Sequence, residues 1–469
     1  MGGCARDRGA RAVSASRRVV VIGGGLAGIT AALDCAAAGA EVTVLEVRRR
    51  LGGAAYSFER EGMIFDNGQH VFLRCCTAYR ALLARLGSAH HVYVQPRLDI
   101  PVLAPGERPV RLRRSALPAP LHLAGALARY RHLAPRERLR AALAARALGR
   151  LDPGEAALDE QTLGSFLERH RQSPRALAAL WDLVALPTLN LPAAQASLAL
   201  GAFVFKTGLL SSADAGDIGF HVGTLAETIG EPAERALRSA GVEVRLGWRA
   251  EAISGETGAF EVRAAADAVG ADVVIVAVSH TRAGPLVAQL LPRLDTSLER
   301  LGSSPIVNLH VVYDRRVCEE RFAAGVDTPV QYVFDRTDAG RAPAGSQYLA
   351  VSLSGAAREM EMSADELRER YLPALAELFP RARSARVLRF LATREHAATF
   401  AAVPGVGALR PGVETEIEGL VLAGAYTDTG WPATLEGAVK SGHAAARVAL
   451  DGLESARPKH ELAAGEAAS

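Results

Sequence analysis

The sequence predicts an α/β fold: a Rossmann-like dinucleotide-binding domain interleaved with an α+β substrate domain. Three observations lead there. Residues 19–46 read strand, glycine loop, helix, strand and acid in unbroken order. Residues 420–448 read strand, glycine, turn, proline and helix. Between them, residues 217–285 carry a helix pattern, then a strand, a hairpin and a buried strand.

The first strand, VVVI, runs into Gly23-x-Gly25-x-x-Gly28. Gly23 permits a tight turn, Gly25 lets backbone approach a pyrophosphate, and Gly28 lets the following helix pack close to the strand. The N-terminus of that helix offers free N–H groups to an anion, and Leu26 and Ala27 join the glycines as cofactor-binding residues. The second strand ends on Glu46, 18 residues after Gly28. An acid there accepts hydrogen bonds from an adenosine ribose 2′-OH and repels a 2′-phosphate. A plain glycine-rich βαβ turn would leave Glu46 without a role.

A second glycine pair, Gly52-Gly53, follows closely, for which nicotinamide-dependent domains have no standing need. Here the chain resembles the amine-oxidase and phytoene-desaturase superfamily of FAD enzymes, with their glutathione-reductase-type nucleotide fold. Its E-x-R-x-R-x-G-G-R run is matched by Glu46, Arg48, Arg50, Gly52 and Gly53. The departure is Ala54, where the superfamily has Arg, and no other residue clearly replaces that cation. Arg48 to Arg50 read equally as a solvated basic turn.

The C-terminal stretch fits the same resemblance through Gly424, Thr427, Pro432, Leu435, Glu436, Gly437 and Ala438. A helix beginning near Thr434 would point its N-terminus at the flavin N1 and C2 carbonyl, where its dipole favours negative charge. Ala425 stands where Asp commonly binds the cofactor, with Thr427 or Asp428 as substitutes. The resemblance also implies that backbone at Ala250 holds the adenine. The expected division is an FAD-binding domain from 17–87, 217–285 and 405–453, and a substrate domain from 88–216 and 286–404. Disordered tails are expected at 1–16 and 454–469.

Composition narrows the remaining classes. A net charge of +3 is too small to argue for nucleic acid. Five cysteines without ligand spacing suggest a reducing cytosol and no structural metal. No signal peptide and no uncharged apolar run of spanning length is found. Residues 107–150 hold eleven arginines and two glutamates among many Leu and Ala. They read as two amphipathic helices broken at Pro135, lying on an anionic membrane. A solvated helical face is the alternative. Tyr130 is almost the only stacking aromatic there, which weakens a nucleic-acid reading. The oligomeric state is not legible.

A narrower resemblance concerns substrate. Asp66-Asn67-Gly68-Gln69-His70, with the late TDTGWPATLEGAV, resembles the squalene-associated FAD-dependent desaturases, also described as hydroxysqualene dehydroxylases. This implies reductive removal of a hydroxyl from a C30 polyisoprenoid alcohol, in bacterial squalene and hopanoid synthesis. Gly68 joins the cofactor set. His70 is the expected proton donor because its ordinary pKa lies near neutrality, with Asp66 or Gln69 to orient it. His70 also reads as a histidine merely packed on the flavin, and Asp66 and Asn67 as turn caps. Tyr426, Asp428 and Trp431 are expected to line the substrate pocket. Phe203 and Phe205 alternate in GAFVFKTG, either lining a lipid tunnel or sitting in an ordinary core strand. The alternatives are a flavin amine oxidase, a carotenoid-type desaturase, or a non-catalytic isoprenoid carrier resembling Rab escort proteins. Glu46 and the helix start at 435–438 argue against the carrier.

Overall fold

The structure, a computed structural model, describes residues 17–455. The expected tail at 1–16 and residues 456–469 lie outside the described residues. The tail expected from 454 begins inside the final helix, Leu435–Ser455.

A five-stranded parallel sheet organises the nucleotide half. Its order is Glu243–Leu246, Glu41–Glu46, Arg18–Ile22, Val273–Val276, Leu420–Leu422. The central strand Arg18–Ile22 pairs with a neighbour on each side, Val19 lying opposite both Val42 and Val273. Val19 to Ile22 are buried, which explains their unbroken apolar run. One face packs on the helices Leu26–Ala37, Thr77–Arg85 and Leu435–Ser455. The other packs on the antiparallel strands Ala252–Glu256, Ala259–Arg263 and Ala268–Ala271 and on part of the inserted helices. Past the edge strand Glu243–Leu246 the chain turns at Gly247, whose φ of +75° takes the left-handed region.

The first and last helices touch directly. A Cβ added to Gly442 would lie 2.4 Å from the Ala27 carbonyl oxygen and 2.8 Å from Thr30 Cβ. This glycine sets the separation of two helices that come from opposite ends of the chain.

The inserted segments build a seven-stranded sheet. From one edge it runs Val387–Thr399, Ser304–Tyr313, Gln347–Ser354, Tyr332–Asp335, Phe322–Gly325, Asp99–Leu103, Val110–Arg113. All its pairs are antiparallel except Phe322–Gly325 with Asp99–Leu103. A helical layer between residues 121 and 210 packs against it through Trp181, Phe205, Phe220 and Phe334.

Two sequence expectations are corrected here. Residues 110–113 form the edge strand rather than a helix, and Pro135 does not break a helix but starts one, Pro135–Leu148. Its missing N–H falls where the helix has no acceptor, and Glu137 accepts from the Ala134 N–H at 2.8 Å. Phe203 and Phe205 lie on a helix, Leu198–Phe205, not a strand. The run LALGAFVF is apolar at nearly every position, so its periodicity does not separate the two.

Replacing Gly442 by Val should destabilise the protein by about 1–3 kcal/mol through overpacking, read as a lower urea midpoint. An unchanged midpoint would mean that the two helices move apart freely.

Candidate active site

The two glycine runs face each other. A Cβ on Gly28 would sit 1.9 Å from the Gly23 carbonyl oxygen, so only glycine lets the helix start there. A Cβ on Gly53, itself left-handed at φ +59°, would come 2.8 Å from Gly25 Cα. Gly25 precedes the helix without any side-chain cap, and no acid occupies its first turn. The N–H groups around Leu26 and Ala27 are therefore aimed at a space lined by backbone. That cradle fits a pyrophosphate.

Glu46 is buried at the end of its strand. Its Oε2 accepts from the Gly24 N–H and its Oε1 from the Arg48 N–H, both at 2.7 Å. Each oxygen keeps a lone pair for a ribose hydroxyl. Trp248 N–H donates to the Glu46 carbonyl at 2.9 Å, which brings the loop leading to half-buried Ala250 alongside. The Arg48 side chain is exposed. Arg50 instead stacks on the Tyr56 ring, 3.7 Å from its centroid, and donates to the Gly53 carbonyl at 3.2 Å. Arg50 thus supplies a cation beside the second glycine pair, where Ala54 offers none. Ala54 is exposed, and its carbonyl accepts from Asn67 Nδ2 at 2.9 Å.

At the other end, Thr434 Oγ1 accepts from the Gly437 N–H at 3.1 Å and caps the helix beginning at Leu435 and running through Ala438. Glu436 turns away from that terminus. Its carboxylate accepts from the Ala78 and Tyr79 N–H groups at 3.1 and 2.8 Å and caps Thr77–Arg85. The Gly424 N–H donates to Ser441 Oγ at 2.9 Å. Thr427 is buried with its hydroxyl on the Gly424 carbonyl, whereas Asp428 is exposed and accepts from Gly430 N–H. Buried Arg410 fixes this turn by donating to the carbonyls of Tyr426, Thr427 and Trp431.

The loop at residues 66–70 joins the two halves. Asp66 accepts from Ser57 Oγ at 2.6 Å and the Leu225 N–H at 3.0 Å, and pairs with buried Arg336 at 2.7 Å. Burial pushes its carboxyl up, against the pull of Arg336. Arg336 also donates to the carbonyls of His221 and Gly223. Asp66 therefore holds Arg336 and makes no hydrogen bond to His70, contrary to the orienting role expected of it. Asn67 Nδ2 donates to Glu395 at 2.8 Å, and the Asn67 carbonyl accepts from Asn308 Nδ2 and Thr393 Oγ1. Gly68 faces Asn308, whose Oδ1 is buried without a partner.

Gln69 and His70 line a cleft with Phe220, His221, Phe334, Asp335 and Arg336. Gln69 Nε2 is buried and has no protein partner. The His70 ring is half-buried, and burial pushes its pKa down to about 4. The expectation of a near-neutral pKa thus fails: at neutral pH this imidazole is uncharged. His221 lies behind it, with Nδ1 on the His70 carbonyl at 2.9 Å and Nε2 on the Tyr79 hydroxyl at 2.8 Å. Burial takes His221 down to about 3.

The other expected pocket residues are dispersed. Trp431 and Phe203 meet edge to face with centroids 5.1 Å apart. Phe205 packs on Trp181 inside the helical core, outside the cleft at His70. Tyr426 is buried in the core beside His280, away from the cleft at His70. Burial raises its pKa, and its hydroxyl has no partner. Arg336, Asn308 and His221 went unnoticed in the sequence. Arg336 is one arginine among many, and nothing local marks the other two.

A glycine-lined cradle at a helix start, with a buried acid closing the next strand, suits a dinucleotide, and the family of the chain makes it a flavin-dependent oxidoreductase. The chain belongs to the flavin containing amine oxidoreductase family, whose model matches residues 26–450. FAD is its cofactor. The hydroxysqualene dehydroxylase of Rhodopseudomonas palustris is 28% identical over 456 residues, spanning 93% of this chain and 99% of that one. The zeta-carotene desaturase of Arabidopsis thaliana is 25% identical over 491 residues, spanning 93% and 86%. Among solved structures, putrescine oxidase bound to putrescine has a TM-score of 0.71 at 20% identity, covering 94% of this chain and 99% of its own.

Two outcomes test this site. Glu46→Gln leaves one carboxamide oxygen where two carboxylate oxygens accept, so FAD should bind ten- to a hundredfold more weakly, on the order of one charge-assisted hydrogen bond. Flavin absorbance per folded protein measures it, and full occupancy would remove Glu46 from the site. The second concerns acid. His70, His221 and His310 have pKa values pushed down to about 4, 3 and 3 by burial. An unfolded histidine titrates near 6.5. The unfolded chain therefore takes up protons that the folded one refuses, and stability should fall as pH drops from about 6.5 towards 4. Urea midpoints between pH 7 and 5 should show this, and His310→Gln should flatten the slope by up to about 1.4 kcal/mol per pH unit.

Proposed function

We propose that this flavoenzyme reduces hydroxysqualene to squalene by removing its hydroxyl, within bacterial squalene and hopanoid synthesis. The observation that carries the reading is the cleft at residues 66–70. Both carboxylates lining it are already engaged: Asp66 by Arg336, and Asp335 by Thr337 and Gln347. An ammonium substrate finds no free acid there. Gln69 Nε2, by contrast, is a buried donor without an acceptor, suited to the oxygen of a departing hydroxyl. The full-length likeness to the Rhodopseudomonas palustris enzyme supports the same substrate class.

Bound FAD, in its reduced form, supplies the hydride that replaces the hydroxyl. The chain's own residues handle the oxygen. Gln69 Nε2 donates a hydrogen bond to it, and His70 delivers the proton that lets it leave as water. His221 fixes the His70 backbone through its carbonyl. Since burial holds His70 near 4, only about one ring in a thousand carries the proton at pH 7. The rate then rises about tenfold for each pH unit lowered, until pH approaches that value.

A carotenoid-type desaturation is the second reading, favoured by the likeness to the zeta-carotene desaturase. Mass spectrometry of products decides. The reduced protein given hydroxysqualene should yield squalene, and His70→Ala should keep its flavin but turn over about a hundredfold more slowly. Desaturation of a polyene with no action on the alcohol would overturn the substrate. A wild-type rate in His70→Ala would relieve His70 of the proton.

A further inference from the structure

The helix Pro135–Leu148 has an outer face that no other element covers. Leu139 is 64% exposed and Leu143 57% exposed. For large apolar side chains on the surface of a folded protein these are high values, and they are one turn apart. Arg136, Arg140 and Arg146, all exposed, flank them, and exposed Arg150 follows the helix end. At 100° per residue these six positions fall within about 120° of arc. The opposite face, Ala141, Ala144 and Leu148, is buried in the helical core with Trp181 and Phe205. A second exposed pair lies nearby in chain: Leu117 at 53% and Leu121 at 57%. It leads into the short helix Ala124–Ala128, which packs against both the turn at residues 121–123 and Pro135–Leu148.

Acids are sparse around this face. Between residues 115 and 151 the only acid is Glu137. Its carboxylate is occupied by the Ala134 N–H and the Ser173 hydroxyl. Exposed Arg111, by contrast, sits on Asp99 and Glu320. Arg129, Arg131, Arg136, Arg140, Arg146 and Arg150 make no ion pair among the described residues. No helix among them is long and apolar enough to cross a membrane.

We infer that the outer face of Pro135–Leu148 docks on the surface of an anionic bilayer, with Leu139 and Leu143 entering the acyl boundary and the arginines meeting lipid phosphates. Two leucines without charge would fit any apolar partner, and arginines without leucines would fit any polyanion. Both together on one narrow arc match a lipid surface, where apolar insertion and headgroup attraction add. The docking itself does not depend on the substrate. Its use does rest on the proposed reaction: a polyisoprenoid dissolved in the bilayer meets a helix whose inner side belongs to the substrate domain's core.

The test uses full-length, FAD-loaded protein and sedimentation with vesicles of phosphatidylcholine, with and without phosphatidylglycerol. The protein should bind the phosphatidylglycerol vesicles and be released by salt. L139Q/L143Q should lower partitioning at least about tenfold, and R136Q/R140Q/R146Q on the order of a hundredfold. Flavin content and turnover of detergent-dispersed hydroxysqualene should stay at wild-type levels in both variants. Absence of binding to anionic vesicles overturns the inference, as does equal binding by wild type and L139Q/L143Q. A self-associating wild type whose association L139Q/L143Q abolishes would assign the face to a second copy of the chain instead. Loss of turnover in detergent by the wild type would strike the proposed reaction and leave the docking result standing.

Discussion

The ion pair between Asp66 and Arg336 holds the two halves of this molecule in register. Both side chains are almost wholly buried, at 3% and 7% exposure. Asp66 ends the hairpin Ser57–Arg60 and Met63–Asp66, close in chain to the glycine loops, whereas Arg336 follows a strand of the substrate sheet. Around them converge the Ser57 hydroxyl, the Leu225 N–H, and the carbonyls of His221 and Gly223. Such a pair gains little over a well-packed apolar contact, but removing one partner strands a buried charge. Its value is positional. The loop at residues 66–70 starts from a fixed point, and Gln69 and His70 inherit that placement.

The same economy runs through the site. Glu46 uses its carboxylate to pin Gly24 and Arg48, so the acid at the end of the second strand also shapes the first glycine loop. Glu436 resembles a cofactor-motif residue in sequence, yet its carboxylate caps the neighbouring helix at Ala78 and Tyr79. Asn67 ties Ala54, Glu395, Asn308 and Thr393 together. These polar side chains are thus each tied to backbone or side-chain groups from several directions, which keeps them rigid.

What was legible in the sequence is what depends on backbone shape and short range. Gly23, Gly25 and Gly28 announce themselves because their spacing is set by local geometry, and Glu46 because the strand length fixes where it ends. Long-range polar pairing left no such mark. Arg336 lies 270 residues from Asp66, and the chain is rich in arginine throughout, so nothing local distinguishes it. The histidine pKa was misread for a related reason: ordinary values hold in water, and the ring of His70 is surrounded by chain from elsewhere. Phe203 and Phe205 show a third limit. In a segment without polar residues the repeat that separates helix from strand vanishes, and only the packed structure reveals that the two rings face different cores.

The contact between Gly442 and Ala27 has a consequence for biosynthesis. The first glycine loop is synthesised before the whole substrate domain, whereas the helix that packs behind it, Leu435–Ser455, and the sheet's edge strand, Leu420–Leu422, are synthesised after it. The nucleotide sheet therefore cannot close before the inserted segments have been synthesised. Its strands wait, with apolar faces uncovered, through the synthesis of the whole substrate domain. Long-range closure of this kind is slow and leaves sticky surface open. Completion of the sheet is accordingly a late event in synthesis, and the burden of keeping the half-built sheet soluble falls on whatever attends it in the meantime.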